Sequence, residues 1–322
     1  MVTTKTDELI DKCSNFLSKI STNKFLIAFS GGLDSTVLLD CLYKLSSKKE
    51  LIIRSIHINH NLSNEAYKYE DHCLKITNKY GIEHLSKRIN INGFSNIEEQ
   101  CREKRYQSIT DIAHKDECVL TAHHEDDQVE TFFLRLIRGS GVRGLSSMKN
   151  KTMINDRIIG RPFLNISKKE IIDYQKKYNL KFISDKSNQD NKFDRNYLRN
   201  HVIPHIKKRW PSINKNITNN ILIQEIQSKF TSDNIELVLP NYYAENKNEL
   251  LVDKLNKEDF HIKVIIIHEW VFMLTQTILN LKQIKEILKI LNTNNDSNPL
   301  FEFSSIIIKK NKNILTLSKE YE

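Results

Sequence analysis

Paired cysteines are missing from this 322-residue chain: its five thiols, Cys13, Cys41, Cys73, Cys101 and Cys118, are scattered and form no CxxC. Metal centres and redox dithiols need close spacing, so the pattern argues against both and predicts five reduced, mostly buried thiols. Long apolar runs are missing too. The longest, residues 264–274, is interrupted by His268 and Glu269; it is too short and too polar to cross a bilayer and reads as a buried helix with no membrane role. The opening MVTTKTDELI has no basic flank before an apolar core, which predicts no secretory leader and a cytoplasmic protein. Arginine, finally, is absent from residues 215–322. Of 49 Lys+Arg and 40 Asp+Glu, that segment holds 13 and 14, leaving 36 and 26 in the first 214 residues, a net +10. An AT-rich genome inflates lysine but not arginine, so the one-sided excess favours a polyanionic partner such as nucleic acid.

What is present alternates. KFLIAFS (24–30) is a nearly unbroken apolar strand followed by the helical DSTVLLDCLYKL, and LIIRSIHIN (51–59) precedes the helical EAYKYEDHCLKITNKY, closed by Gly81. A strand at IEHLSKRIN leads to a helix opened by a Ser95–Glu98 capping box. Strand CVLTA (118–122) leads into the helical HHEDDQVETFFLRLIRG, and a Ser167–Glu170 box opens KKEIIDYQKKY. This order predicts an α/β fold with a doubly wound parallel sheet, whose ligands bind outside the carboxyl ends of the strands. After Trp210-Pro211 the chain becomes Asn-rich. It runs through the apolar helices IKVIIIHEWVFMLT and LKQIKEILKILN to FEFSSIIIKK, an NKN turn and ILTLSK, expected to form a hairpin. The expected division is therefore a catalytic domain over 1–212 and a smaller C-terminal α/β domain over 213–322.

Two motifs sit where the chemistry belongs. Ser30-Gly31-Gly32-Leu33-Asp34-Ser35 follows the first strand: glycines allow close backbone approach, the helix start offers amides to an anion, and Ser30 and Ser35 add hydroxyls. Asp34 is the candidate ligand for a magnesium ion bridging phosphate oxygens. The loop lacks the GxxxxGK[ST] spacing of a Walker loop. SGGLDS resembles instead the loop of the ATP pyrophosphatases, or PP-loop enzymes, which split ATP between its α and β phosphates and place AMP on a carbonyl oxygen. The second motif, His123-His124-Glu125-Asp126-Asp127-Gln128-Val129-Glu130-Thr131, puts Asp127 and Glu130 on one helix face. Two carboxylates there suit the cationic head of an amine. His123 suits an ATP phosphate or a substrate base. A zinc site would separate its ligands by a turn, which these adjacent residues do not.

HHEDDQVETFFLRLIRGSGVRGLSSM is similar to the signature of the tRNA(Ile)-lysidine synthase family. Further matches come in that family's order: His57-Ile58-Asn59-His60, Arg102 with Arg105-Tyr106, Arg161-Pro162-Phe163-Leu164, Asp185 with Ser187-Asn188, and Arg195-Asn196 with Arg199 before Val202-Ile203-Pro204. The resemblance is strong over about residues 24–211 and weaker beyond. Leu62-Ser63 stands where the family has Leu-Arg, and Glu125 where it is commonly apolar. The resemblance implies a ligase that uses ATP and Mg2+ to adenylate the wobble cytidine of a tRNA(Ile) bearing a CAU anticodon, after which free L-lysine displaces AMP. It allows a homodimer. It gives Asp127 and Glu130 the lysine and its proton, Arg195 and Arg199 the charge of phosphate or AMP (or else contacts to the tRNA backbone), and places His123 and Arg102 in the catalytic set. A tRNA thiolation enzyme and a non-catalytic tRNA-binding protein are the alternatives. The first lacks its paired cysteines here, and the second does not need both motifs intact.

Overall fold

The computed structural model describes residues 7–59, 66–90, 97–184, 190–293 and 299–319. His60, Leu62-Ser63, Asp185, Ser187-Asn188 and Ser95, with its expected capping box, lie outside them. The chain divides into two compact units, Met1–Glu130 with Met148–Asn214, and Thr131–Ser147 with Lys215–Glu322.

In the first unit, helix α1 (Glu8–Leu17) precedes strand β1 (Lys24–Ala28), α2 (Leu33–Ser46), β2 (Ile52–Asn59), α3 (Ala66–Tyr80), β3 (Glu83–Arg88), α4 (Ile97–Ile112) and β4 (Cys118–Leu120). Helix α5 (Glu125–Ile137) begins in this unit, and the short α6 (Val142–Leu145) belongs to the second. Strands β5 (Lys151–Ile154) and β6 (Arg157–Gly160) follow, then α7 (Lys168–Tyr178), α8 (Asp194–Tyr197), a π-helical turn (Leu198–Val202) and α9 (Ile203–Arg209). The sheet order is β3-β2-β1-β4-β6-β5, parallel except for β5.

Alternation along β1 explains its apolar run. Phe25 and Ile27 join the core on one face with α1, α2 and α7, while Leu26 joins Ile56, Tyr106 and Ile109 on the other. Phe25, Leu26 and Ile27 are at most 1% exposed, and burying such side chains contributes roughly 1.5–3 kcal/mol each. None of the five cysteines forms a disulfide, and four are buried. Gly81 ends α3 at φ +64°, and the Ser167–Glu170 capping box closes on itself at the start of α7 as expected.

Strands β5 and β6 were not expected. They form a hairpin over a two-residue turn, Asn155 and Asp156, with φ of 46° and 58°, which adds an antiparallel edge to the parallel sheet. The second unit contains α10 (Ile213–Val238) beyond its first two residues, β7 (Glu249–Leu251), α11 (Val252–Asn256), α12 (Phe260–Thr275), α13 (Leu281–Leu291), β8 (Leu300–Phe303), β9 (Ile306–Asn311) and β10 (Ile314–Lys319). The expected hairpin is β9–β10, but its first arm is two strands rather than one. Ser304, at φ +53°, turns FEFSSIIIKK back on itself, giving an antiparallel sheet β7-β10-β9-β8. Trp270, Ile266 and Ile267 are wholly buried in this unit's core, as the apolar run 264–274 requires. No described helix is long and apolar enough to cross a membrane.

Candidate active site

Chain order reverses between β1 and β4: β2 and β3 continue on one side of β1, and β6 and β5 on the far side of β4. The two polar motifs leave the carboxyl ends of these neighbouring strands, so the crevice of a doubly wound sheet opens between them.

The loop after β1 is built to leave amides free. Gly31 sits at φ +77°, and a Cβ there would meet Cys73 Sγ at 3.0 Å, so only glycine fits without strain. Its carbonyl accepts from Ile183 N at 2.9 Å. Gly32 is the N-cap of α2, and having no side chain it caps none of the first-turn N–H groups, which remain available to an anion. The Ser30 and Ser35 hydroxyls lie 3.0 Å apart, and Ser35 donates to Gly32 O. Leu33 opens the helix and packs against the core. Below the loop, His57 Nδ1 lies 3.1 Å from Phe29 O and 3.5 Å from Cys73 Sγ. Burial lowers the pKa of this histidine, so it is a neutral support.

Asp34 projects from this loop with its side chain 31% exposed, and its Oδ1 accepts from Lys168 Nζ at 2.5 Å. Among the described residues no group of three or more His, Cys, Asp or Glu forms a metal cage. One carboxylate is, however, enough protein ligand for a magnesium ion that takes most of its oxygens from phosphate and water, and the uncapped amides beside it would hold the phosphate. The residues fit such an ion shared with a nucleotide.

The second motif divides its labour residue by residue. His124 Nδ1 accepts from Asp126 N, which places the ring proton of the neutral tautomer on Nε2. That nitrogen lies 3.7 Å from Asp34 Oδ2 and 3.6 Å from Asp127 Oδ2. His124 therefore links the phosphate loop to the carboxylates. Asp126 is tied to Lys207 Nζ at 2.9 Å and to Asn214 Nδ2 at 2.6 Å. Gln128 exchanges two hydrogen bonds with the backbone of Met148 and pins the returning chain. Asp127 reaches back to the amide of His124 at 2.9 Å, as the acid of a capping box does.

Asp127 and Glu130 are 8% and 1% exposed and close a four-membered charge cluster with two arginines. Arg195 donates from Nε to Glu130 at 2.8 Å and from a terminal nitrogen to Asp127 at 3.0 Å. Arg199 donates to both oxygens of Glu130, at 2.6 and 2.8 Å, and to Asp127 at 3.3 Å. Burial alone would raise the pKa of Asp127, but His124, Arg195 and the His124 amide outweigh it and hold the carboxyl well below its ordinary range. For both guanidiniums burial opposes the charge and the two carboxylates more than restore it.

Four of the charged residues expected at the site, Asp127, Glu130, Arg195 and Arg199, thus form one cluster, with the carboxylates already engaged by the arginines. His123 is held apart: its Nδ1 lies 2.9 Å from Thr121 Oγ1. Burial, with the nearby charges of Arg161, Arg195 and Arg105, pushes its pKa down to about 3, so it is neutral and serves as a hydrogen-bonding group. Arg102 is exposed and forms no ion pair among the described residues; its guanidinium lies 5.8 Å from the Tyr106 ring centroid, with Arg105 at 5.7 Å. His124 and Lys168 were not singled out from sequence. A histidine doublet does not say which ring faces the ligand, and the Lys168–Asp34 pair spans 134 residues.

The PP-loop domain family matches residues 5–206. The tRNA(Ile)-lysidine synthase of Buchnera aphidicola subsp. Baizongia pistaciae is 38% identical over 311 residues, covering 95% of this chain and 70% of that protein. That of Haemophilus influenzae strain PittGG is 32% identical over 98% of this chain and 74% of its own. Among solved structures, the U34-tRNA thiolase NcsA of Methanococcus maripaludis superposes with a TM-score of 0.55 at 18% identity, over 68% of this chain and 78% of that one, a likeness of fold. With the loop, the charge cluster and these relatives together, the chain belongs to the tRNA(Ile)-lysidine synthase family of PP-loop ATP-binding enzymes.

Proposed function

We propose that the chain converts the wobble cytidine of the CAU anticodon of tRNA(Ile) to lysidine, changing the codon read from AUG to AUA. The observation that carries this is the placement of His124 between Asp34 of the phosphate loop and Asp127 of the charge cluster, within 3.7 Å of each. It supports a reading in which one crevice serves as both an anion cradle and an amine site.

In the first step the cytosine O2 attacks the α-phosphorus of ATP and pyrophosphate leaves. The uncapped amides of the loop hold the phosphates, and Arg195 and Arg199 stabilise charge on the α-phosphate and later on AMP. Asp34 would hold a magnesium ion, whose positive charge would offset part of the same negative charge. In the second step the lysine ε-amine attacks C2, and the C2–O bond breaks with the oxygen leaving on AMP. As the guanidiniums turn to the anion, Asp127 and Glu130 are released to the lysine ammonium. The lowered pKa of Asp127 suits it to holding that charge, and the two carboxylates together hold the ammonium and take its proton. Residues 1–212 carry this chemistry in the cytoplasm, and 213–322 contribute tRNA recognition.

The test is mass spectrometry of nucleosides from unmodified tRNA(Ile) incubated with the chain, ATP and L-lysine. A cytidine heavier by one lysine less one water is expected. An unchanged cytidine under conditions where the chain is folded overturns the proposal.

A further inference from the structure

The segment that supplies Arg195 and Arg199 has a second face. Inward, those two arginines meet Glu130, while Leu198 and Ile203 are buried. Outward, Tyr197, His201, His205 and Arg209 follow one another at four-residue intervals, the spacing that aligns side chains on one side of a helix. All four are exposed, Tyr197 by 53%, and the row ends at Trp210, 58% exposed. The Tyr197 and His201 rings already lie side by side, with centroids 5.2 Å apart and planes at 34°. The Arg209 guanidinium is 5.7 Å from the Trp210 ring centroid.

The backbone accounts for this arrangement. Pro204 has no amide to give to the carbonyl of Asn200, and its ring crowds that carbonyl. The helix widens just before it into the π turn Leu198–Val202, where Ile203 N reaches Leu198 O. Arg195 and Arg199 keep their inward grip through this turn, and the aromatic row stays on the outside.

Large exposed aromatics with no core role mark a binding surface, and its charge selects the occupant. Of the six Lys and Arg in residues 190–210, Arg195, Arg199 and Lys207 are held by carboxylates, while Lys208 and Arg209 form no ion pair among the described residues. Flat rings alternating with cations suit unpaired nucleotides, whose bases stack and whose phosphates pair. An acidic protein would use the charges and leave the rings unexplained. We propose that Tyr197, His201, His205, Arg209 and Trp210 form a stacking platform for single-stranded nucleotides of the RNA substrate, flanking the base that enters the site. This rests on the tRNA reading above and adds which surface grips the loop.

The experiment measures affinity for an anticodon stem-loop RNA with the CAU sequence, against the same stem closed by a short tetraloop, across a salt series. Base–aromatic stacking is worth roughly 1–3 kcal/mol per base, so Tyr197→Ala should weaken stem-loop binding about tenfold and Tyr197→Phe about twofold or less. Tyr197→Ala should leave the salt slope unchanged, whereas Arg209→Ala should make it shallower by about 0.7–0.9. The tetraloop RNA should bind Tyr197→Ala as it binds the wild type. Stem-loop affinity within about twofold of wild type in both Tyr197→Ala and Trp210→Ala, or an equal loss for the tetraloop RNA, would overturn the platform. Lysine-dependent AMP release by the wild type, run in parallel, keeps the readings apart. Normal release with unchanged affinity in the variants defeats the platform alone. Absence of release from the wild type defeats the proposed reaction, while the binding series still judges the platform.

Discussion

Gly31 and Gly32 are adjacent and identical, yet they answer to different constraints. Gly31 is held at φ +77° against Cys73, so Gly31→Ala should cost about 1–2 kcal/mol from backbone strain alone and lower the midpoint of denaturant unfolding. Gly32 has ordinary φ, and a Cβ there meets its nearest protein atom, Ser30 Oγ, at 3.4 Å. Gly32→Ala should therefore unfold like the wild type and lose ATP affinity, because the space it fills is the ligand's. Equal stability losses in the two variants would contradict this division. The sequence pattern named both glycines but could not separate them, since φ at one position depends on Ile183 and Cys73 packing from far along the chain. The same limit applied at Glu130: helical spacing put it beside Asp127, and nothing local disclosed that two arginines from 65 and 69 residues later would fill both oxygens. Glu130→Gln leaves Arg195 and Arg199 to share Asp127. With the arginine side chains 23% and 36% exposed, solvent softens the loss to about 2–3 kcal/mol of stability. A charge-assisted contact is worth roughly 1.5–3 kcal/mol, so the KM for lysine should rise about tenfold or more. Formation of the tRNA adenylate without lysine should fall by less. A lost adenylate with an unchanged lysine KM would assign Glu130 to the phosphates instead.

At the scale of elements, legibility followed the strength of local signals. Strands β1 and β4 are buried apolar runs, and α7 opens with Ser167 and Glu170, whose side chains and amides satisfy each other as their spacing implied. Glu170 also accepts from Lys12 of α1 at 2.6 Å, and the next-door Lys168 reaches Asp34, so this cap anchors a helix end that faces the loop. Ser167→Ala should cost about 1 kcal/mol, read as a lower urea midpoint with an unchanged slope; no change would mean the box adds nothing beyond the packing of α7. Strands β5 and β6 escaped the sequence reading because each is only four residues long and Asn155-Asp156 lacks the glycine that usually announces such a turn. The split of FEFSSIIIKK into β8 and β9 escaped for a related reason: left-handed Ser304 is rare enough that an uninterrupted strand was the natural expectation. Helix α1 drew no notice either. Its buried face, Leu9, Ile10, Cys13 and Leu17, gains meaning only against the sheet.

Across the whole molecule, burial of histidines links the site to acid stability. His123 is pushed down to about 3 and His84 to about 4, and burial lowers His57 as well, all from 6.5. In the unfolded chain these groups take up protons below about pH 6.5 while the folded chain does not. Stability is therefore fully present above that pH and falls as pH drops toward 4, at about 1.4 kcal/mol per pH unit for each proton bound only on unfolding. His123→Asn should make the slope of unfolding free energy against pH shallower by about one proton between pH 4 and 6. An unchanged slope would mean that His123 is not held neutral by the fold. The composition of the chain reached this scale in one respect, since the net +10 of its first 214 residues pointed to a polyanion. It could not foresee that residues 131–147 pack with the second unit, a matter of long-range contacts. In the proposed function one crevice runs two ordered steps, an adenylation that needs only tRNA and ATP and a displacement that needs lysine. Pyrophosphate and AMP should be followed separately in a single incubation with limiting unmodified tRNA(Ile), with lysine withheld and then added. Pyrophosphate should be released up to the amount of tRNA without AMP, followed by AMP release on addition of lysine. AMP released at full rate before lysine is added, or pyrophosphate released without tRNA, would contradict the proposed function.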